Sequence, residues 1–233
     1  CEVSPPDTEI LLFVSLETWL YGNLVASRKS TQSLANVLDR LHTLEALRSR
    51  YPQLKIYALA TLLRLSNSND DTEERPYWKT HGKQIYRYSW LEHYLSHHHQ
   101  SPEQREGDPH WQEFKALQEA IPDTVRADYK ALRARNFTVL EAVVKGLQSG
   151  WIEQCLLGCD DGGTYGWNVQ ERERLLQYQK ELNLEQQWLI YPGADELGSV
   201  LMARALIPEQ HTLQLQWTHP EAQVQGTRYE GIP

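Results

Sequence analysis

An uninterrupted apolar run near the start of the chain constrains its fold most strongly. Residues 9–16 read EILLFVSL, with almost no polar break. A strand with one solvated face alternates apolar and polar residues, whereas a strand in a parallel sheet is covered on both faces and is apolar throughout. The run therefore predicts a buried strand of a parallel sheet.

The same pattern of strand, polar loop and helix recurs along the chain. Further strands are predicted at 55–63, 152–157 and 188–191, with a fifth at 213–217, and helices at 30–50, 78–97, 122–148 and 196–206. Residues 17–29 show no period, and Asn168 with Glu171 forms a capping box that predicts a helix start. Alternating strands and helices predict an α/β fold with a parallel sheet of βα units. Barrel-like and doubly wound arrangements both remain open.

The chain of 233 residues, 40% of them hydrophobic, is large enough for a substantial core. It begins with Cys rather than Met, so we expect residues 1–233 to form a single α/β domain fragment, part of a larger domain. The stretch HHHQSPEQREGDP is polar and rich in turn-forming residues, which predicts a flexible insertion near 97–110.

The net charge of -8 argues against general binding to nucleic acid or anionic membranes, which requires surplus Lys and Arg. No apolar run is long enough to span a membrane and no signal peptide is visible, so we expect a soluble, cytoplasmic protein. Cys155 and Cys159 lack a neighbouring His and are interpreted as core residues rather than zinc ligands. The expected partner is a small-molecule or carbohydrate ligand, with no cofactor and no metal site.

Acidic residues follow three of the predicted strands, where α/β proteins gather their ligands. Asp160 and Asp161 precede two glycines in the loop CDDGGTYGW, Asp195 and Glu196 open the helix after the fourth strand, and Glu17 follows the first. Each has a structural alternative: an Asx turn for the Asp pair, a helix N-terminus for Asp195 and Glu196, and an exposed loop acid for Glu17.

Basic and aromatic residues in the same loops are candidates for substrate binding. Arg64 ends the second apolar strand and needs an anionic partner, either Asp160, Asp161 or Glu17 within the protein or a substrate group; Arg28 is a weaker case. Aromatic rings at strand ends can stack on sugars or pack in the core. These rings belong to Trp19, Tyr21, Tyr165, Trp167 and Tyr191.

Three segments in order, SLETWLYGNLVASR, LGCDDGGTYGWNVQERE and YPGADELGSVLMARAL, resemble an uncharacterised bacterial domain-of-unknown-function family, number 4127. The resemblance runs from residue 11 to residue 229. The family usually has Asp at the position of Glu17 and Gly at the position of Asn23, and it usually has further segments on both flanks. The resemblance implies no activity, but it supports these loops as the site.

The residues favour a hydrolase that acts on glycosides through two carboxyl groups, one protonated and one ionised. Asp160 or Asp161 would supply one, and Asp195, Glu196 or Glu17 the other. A metal-dependent hydrolase using the same acids is a close variant. The alternative is a non-catalytic ligand-binding or scaffolding module with an enzyme-like fold. In either case we expect the loops to converge on one concave site.

Overall fold

A four-stranded parallel sheet forms the centre of the fold. The computed structural model describes residues 8–160 and 163–207. The strands are β1 (Ile10–Ser15), β2 (Leu54–Thr61), β3 (Gln154–Cys159) and β4 (Trp188–Pro192), in the spatial order β1-β2-β3-β4. The predicted α/β fold with a parallel sheet is thus confirmed. The fifth predicted strand, 213–217, lies outside the described residues.

Helices connect the strands and cover the sheet. They are α1 (Leu16–Tyr21), α2 (Leu24–Lys29), α3 (Leu34–Arg50), α4 (Trp78–His98), α5 (Pro102–Glu106), α6 (Trp111–Ala120), α7 (Asp123–Gln148), α8 (Trp167–Glu181) and α9 (Leu197–Leu206). In the described ranges, no helix is both long and apolar enough to cross a membrane.

Alternate residues of the strands face two different hydrophobic layers. In β2, Ile56, Ala58 and Ala60 pack in a core with apolar residues of α3, α7 and α8. Tyr57 points the other way, into a smaller cluster with Leu197 and other residues of α9. In the part described, β1 and β4 are the sheet edges and the strand order never reverses. Neither barrel closure nor the reversal of a doubly wound sheet is therefore seen there.

The aperiodic segment 17–29 forms two short helices, which the sequence pattern did not predict. A helix of six residues is too short to display a hydrophobic period, and its caps define it instead. The Ser15 side chain accepts a hydrogen bond from Thr18 N at 3.4 Å, and the Asn23 side chain accepts one from Ala26 N at 2.7 Å. Gly22 ends α1 with a φ of 99°, a conformation that favours glycine.

The segment 97–110 contains the short helix α5, with a capping box between Ser101 and Gln104. His99 Nε2 lies 2.6 Å from Asp108 Oδ2, which joins the two ends of this segment. The following helix α6 was not predicted either. The flexibility expected for this segment stays a prediction.

The predicted capping box at Asn168 and Glu171 is wrong, because α8 begins one residue earlier, at Trp167, and neither side chain caps it. Its N-cap is Gly166, and Ser89 Oγ of α4 accepts a hydrogen bond from Trp167 N at 2.7 Å. Helix α4 thus supplies the cap that the local sequence was expected to supply. Asn168 is buried, and Glu171 binds a buried arginine described below.

The core interpretation of Cys155 and Cys159 agrees with the structure, since both side chains are buried in β3. Cys155 belongs to the larger core, where burial raises the pKa of its thiol. A raised pKa keeps a thiol protonated and unreactive.

Leu44 of α3 is fully buried in the larger core, and its neighbour Glu45 is exposed. We expect Leu44→Ala to lower the free energy of unfolding by about 2–5 kcal/mol, because a cavity adds to the lost apolar contact. Glu45→Ala on the same helix should change it by less than about 0.5 kcal/mol. Urea unfolding followed by circular dichroism measures both, and equal effects would contradict the described packing of α3.

Candidate functional site

The carboxyl ends of the four strands carry most of the residues that the sequence singled out. Glu17 follows β1, Arg64 follows β2, Asp160 follows β3, and Asp195 and Glu196 follow β4. Because the strands are parallel, these residues all leave the same edge of the sheet. Asp161 lies outside the described residues.

Glu17 is a buried carboxylic acid at the end of β1. It lies in the first turn of α1, and its Oε1 accepts a hydrogen bond from Thr61 N, at the end of β2, over 2.7 Å. Burial raises the pKa of Glu17 above its ordinary value of 4.5, although hydrogen bonds from Thr61 and the charge of Arg28 act in the opposite direction. Glu17 is therefore not the exposed loop acid of the structural alternative.

A cavity of about 20 Å³ adjoins Glu17 and has room for one water molecule. Tyr21 and Asn136 also line it, and Tyr21 OH donates to Asn136 Oδ1 at 3.1 Å. The guanidinium carbon of Arg135 lies 5.0 Å from the centre of the Tyr21 ring. Burial raises the pKa of Tyr21, so its hydroxyl group stays protonated and can donate this hydrogen bond.

Arg28 and Arg64 come together, but on acids that the sequence analysis did not consider. Arg28 Nη1 and Arg64 Nη2 lie 2.8 and 2.9 Å from the same oxygen, Oε2 of Glu73. Arg64 Nε lies 3.0 Å from Oε1 of Glu74, which is buried. Glu73 and Glu74 lie in the polar segment between β2 and α4. Arg64 is thus partnered within its own loop rather than by Glu17.

Arg133 of α7 fastens the backbone that follows β2. Its Nη2 donates to Leu63 O at 2.9 Å and its Nη1 to Arg64 O at 3.2 Å. The other edge of the guanidinium binds both carboxylate oxygens of Glu171 on α8, at 2.8 and 2.6 Å. Arg133 is almost wholly buried, so this pairing is made out of contact with water. The segment carrying Arg64 is consequently held from two helices.

Asp160 is exposed and borders a second, smaller cavity of about 10 Å³. Arg64, Asn168 and Arg172 line it too. Glu17 and Tyr21 thus line one of the two cavities, and Arg64 and Asp160 line the other. The convergence of all these loops on one concave site stays a prediction.

Four candidates lie apart from these two cavities. Tyr165 packs against the end of α4, with its hydroxyl 3.3 Å from His98 Nε2 and its ring edge-on to that of Trp90. Tyr191 lies within β4 rather than in a loop. Asp195 and Glu196 are exposed beyond β4, at the sheet edge opposite β1.

Sequence reasoning missed Arg133, and one signal could have found it. Tyr129, Arg133 and Phe137 recur every fourth residue, and all three are buried on one face of α7. An arginine on the apolar stripe of a helix must be paired inside the protein. No comparable signal distinguishes Glu73 and Glu74 from the other acids in their segment.

A larger groove of about 380 Å³ lies between α7 and α8. Phe137 and Trp167, both largely buried, line it, with the guanidinium carbon of Arg174 4.2 Å from the Phe137 ring centre and Lys130 Nζ 5.2 Å from that of Trp167. Trp167 Nε1 donates to Glu92 Oε2 at 2.6 Å. The volume falls in the usual range for small-molecule sites.

Within residues 8–160 and 163–207, no three or more His, Cys, Asp or Glu side chains are grouped so as to hold a metal ion. His97 and His98 are exposed near the end of α4.

The family model described as "Protein of unknown function (DUF4127)" matches residues 6–233. No curated protein and no solved structure matches the chain.

We expect Glu17→Gln to stabilise the protein progressively as the pH rises above 4.5. A raised pKa means that the folded state binds the proton more tightly than the unfolded state. The wild type therefore loses stability as the pH rises from 4.5 through the folded pKa, whereas glutamine, which can still accept from Thr61 N, does not titrate.

Urea unfolding of both proteins at pH 5 and pH 7 measures the effect. The advantage of Glu17→Gln should be larger at pH 7, while Glu45→Gln, at an exposed position, should show no such trend. A smaller advantage at pH 7 would contradict the buried, desolvated state of Glu17.

Proposed function

Because the chain belongs to the DUF4127 family, whose description names no reaction, we propose a function from the site chemistry: a hydrolase acting on glycosides, with Glu17 as the proton donor and Asp160 as the ionised carboxylate. The observation that carries the proposal is the buried position of Glu17 at the carboxyl edge of the sheet, where desolvation raises its pKa. Glycoside hydrolysis requires one carboxyl group held protonated beside another that is ionised.

The spacing of the two strand ends favours an inverting mechanism over a retaining one, whose carboxyl groups are only about 5–5.5 Å apart. Glu17 follows β1 and Asp160 follows β3, with one strand between them. Neighbouring strands lie about 4.8 Å apart, so the two strand ends are separated by roughly 10 Å. Inverting enzymes hold their carboxyl groups about 6.5–9.5 Å apart to admit a water molecule. Asp160 would activate that water as the general base.

The two acids differ in their exposure to solvent, and this difference is the basis for their proposed roles. Asp160 is exposed, so a substrate reaches it directly from solvent. Glu17 is buried, but the adjacent cavity has room for one water molecule, through which a carboxylic acid can pass its proton. Arg64 lines the cavity beside Asp160, where its guanidinium group can donate hydrogen bonds to a substrate.

The test is turnover of a panel of neutral, amino and acidic oligosaccharides, followed by mass spectrometry. We expect Asp160→Asn and Glu17→Gln each to lower kcat by about a hundredfold or more, because each removes an acid or base from the transition state. In the wild type, kcat should fall as the pH rises through the raised pKa of Glu17, and Glu17→Gln should lack this dependence.

Asp39→Asn on the exposed face of α3 serves as the control and should retain full turnover. Full activity of Asp160→Asn and Glu17→Gln would disprove the assignment. Failure to cleave any member of the panel, by a protein shown to be folded, would count against a glycoside hydrolase.

The groove between α7 and α8 supports a second candidate, a non-catalytic module that binds a small polar ligand such as an oligosaccharide. It is much larger than either cavity at the strand ends, and aromatic and charged side chains line it together. These are the features of small-molecule binding sites. No proton transfer is required of any residue in it.

Ala134→Arg should block this groove, because Ala134 lines it and arginine would fill it without removing an existing contact. We expect oligosaccharide binding, measured by calorimetry, to weaken by at least about tenfold, or about 1.4 kcal/mol. Ala131→Arg, at an exposed position of the same helix, is the matched control. Equal binding by the two variants would exclude the groove as the site.

A further inference from the structure

Two arginines from different loops converge on a single oxygen atom. Arg28 belongs to α2, in the connection after β1, and Arg64 follows β2. Both guanidinium groups lie within 2.9 Å of Oε2 of Glu73. A guanidinium group stays charged at any physiological pH, and two of them held this close require an anion between them.

Exposure separates the two glutamates around these arginines. The Glu74 side chain is only 2% exposed and pairs with Nε of Arg64, as a permanent internal counterion does. The Glu73 side chain is 45% exposed, while that of Arg28 is 5% exposed. The anion position is therefore reached from solvent on the side that Glu73 occupies, and the cations behind it are built into the protein.

The backbone around Glu73 is fastened independently of its carboxylate. Lys29 Nζ donates to Asp71 O and Thr72 O, both at 3.1 Å, and Arg75 Nη2 donates to Ser30 O at 3.2 Å. These contacts tie both sides of Glu73 to the end of α2. Moving or removing the Glu73 side chain alone thus leaves its backbone segment joined to the end of α2, next to Arg28.

We propose that Arg28 and Arg64 form a binding site for a carboxylate or phosphate group, and that Glu73 occupies this site as an internal competitor. Guanidinium groups match the geometry of both anions and bind them through charge-assisted hydrogen bonds. A ligand enters by displacing the Glu73 side chain into solvent. The site requires no catalysis, so it stands whether or not the protein is a hydrolase.

The location of the anion site also points to the class of substrate, an extension that rests on the proposed function. Arg28 is close enough to Glu17 for its charge to act on that carboxyl group. Arg64 lines the cavity beside Asp160. An anion held by both arginines therefore lies near the cavity beside Asp160, and the substrate would be an acidic sugar, bearing a carboxylate or a phosphate.

Glu73→Ala tests the site by removing the competitor. We expect it to bind inorganic phosphate at least about tenfold more tightly than the wild type, in calorimetric titrations at fixed ionic strength, because Arg28 and Arg64 lose the anion that they share, while Arg64 keeps its pairing with Glu74. A parallel titration with acetate distinguishes a carboxylate site from a phosphate site. Tighter binding of either anion by the variant supports the proposal.

Glu113→Ala is the matched control, since Glu113 has a side chain 43% exposed and binds Arg87 through two hydrogen bonds. It removes the acid from one arginine rather than from two that converge, and should gain no comparable affinity. Adding Arg28→Gln to Glu73→Ala should abolish the gain. If that double variant does not melt cooperatively, Arg64→Lys is combined with Glu73→Ala instead. Lysine keeps the charge but cannot form two parallel hydrogen bonds, so anion binding should weaken.

Equal anion affinity in Glu73→Ala and the wild type would overturn the proposal, as would an equal gain in Glu113→Ala. The readout is binding alone, so a protein that gains affinity but cleaves no sugar retains the anion site and refutes only the hydrolase.

Discussion

The buried guanidinium group of Arg133 joins three segments that meet at the carboxyl edge of the sheet. It binds Glu171 at the start of α8 and the carbonyl oxygens of Leu63 and Arg64 after β2, and it is itself carried by α7. Taking a charge out of water is costly, and the cost is offset only when nearly every donor finds a partner. Here the carboxylate and the carbonyl groups supply those partners, so the loop after β2, α7 and α8 are interdependent.

Arginines likewise bind backbone carbonyl groups in the connection after β1, at the end of α2 and beyond it. Arg135 donates to the carbonyl oxygens of Ser27, Ser30 and Gln32, and Arg75 also donates to that of Ser30. Carbonyl groups in a partly buried loop need such donors. Long loops after β1 and β2 can therefore be ordered around the site, and the cations that order them also make the region receptive to anions.

Burial gives the acids at this edge different chemistry. Glu17 lies in the first turn of α1 against the end of β2, and desolvation favours its protonated form. Asp160, two strands away, faces solvent. Glu73 remains half exposed between two arginines, and Glu74 is buried against one of them. Four carboxyl groups of nearly identical intrinsic acidity are thus candidates for proton donor, base, displaceable counterion and permanent counterion.

The sequence by itself determined the α/β class and the edge of the sheet where polar loops gather, because buried strands and long amphipathic helices have local patterns. It also proposed Glu17, Arg28, Arg64 and Asp160 as candidate site residues, from their positions after strands. Only the tertiary structure decided that Arg64 pairs with Glu73 and Glu74, that Ser89 rather than Asn168 caps α8, and that α7 and α8 enclose a groove. Those outcomes depend on which surfaces meet in the folded chain. The packing of helices on the sheet and the path of the loop after β2 determine these contacts, and local periodicity does not contain that information.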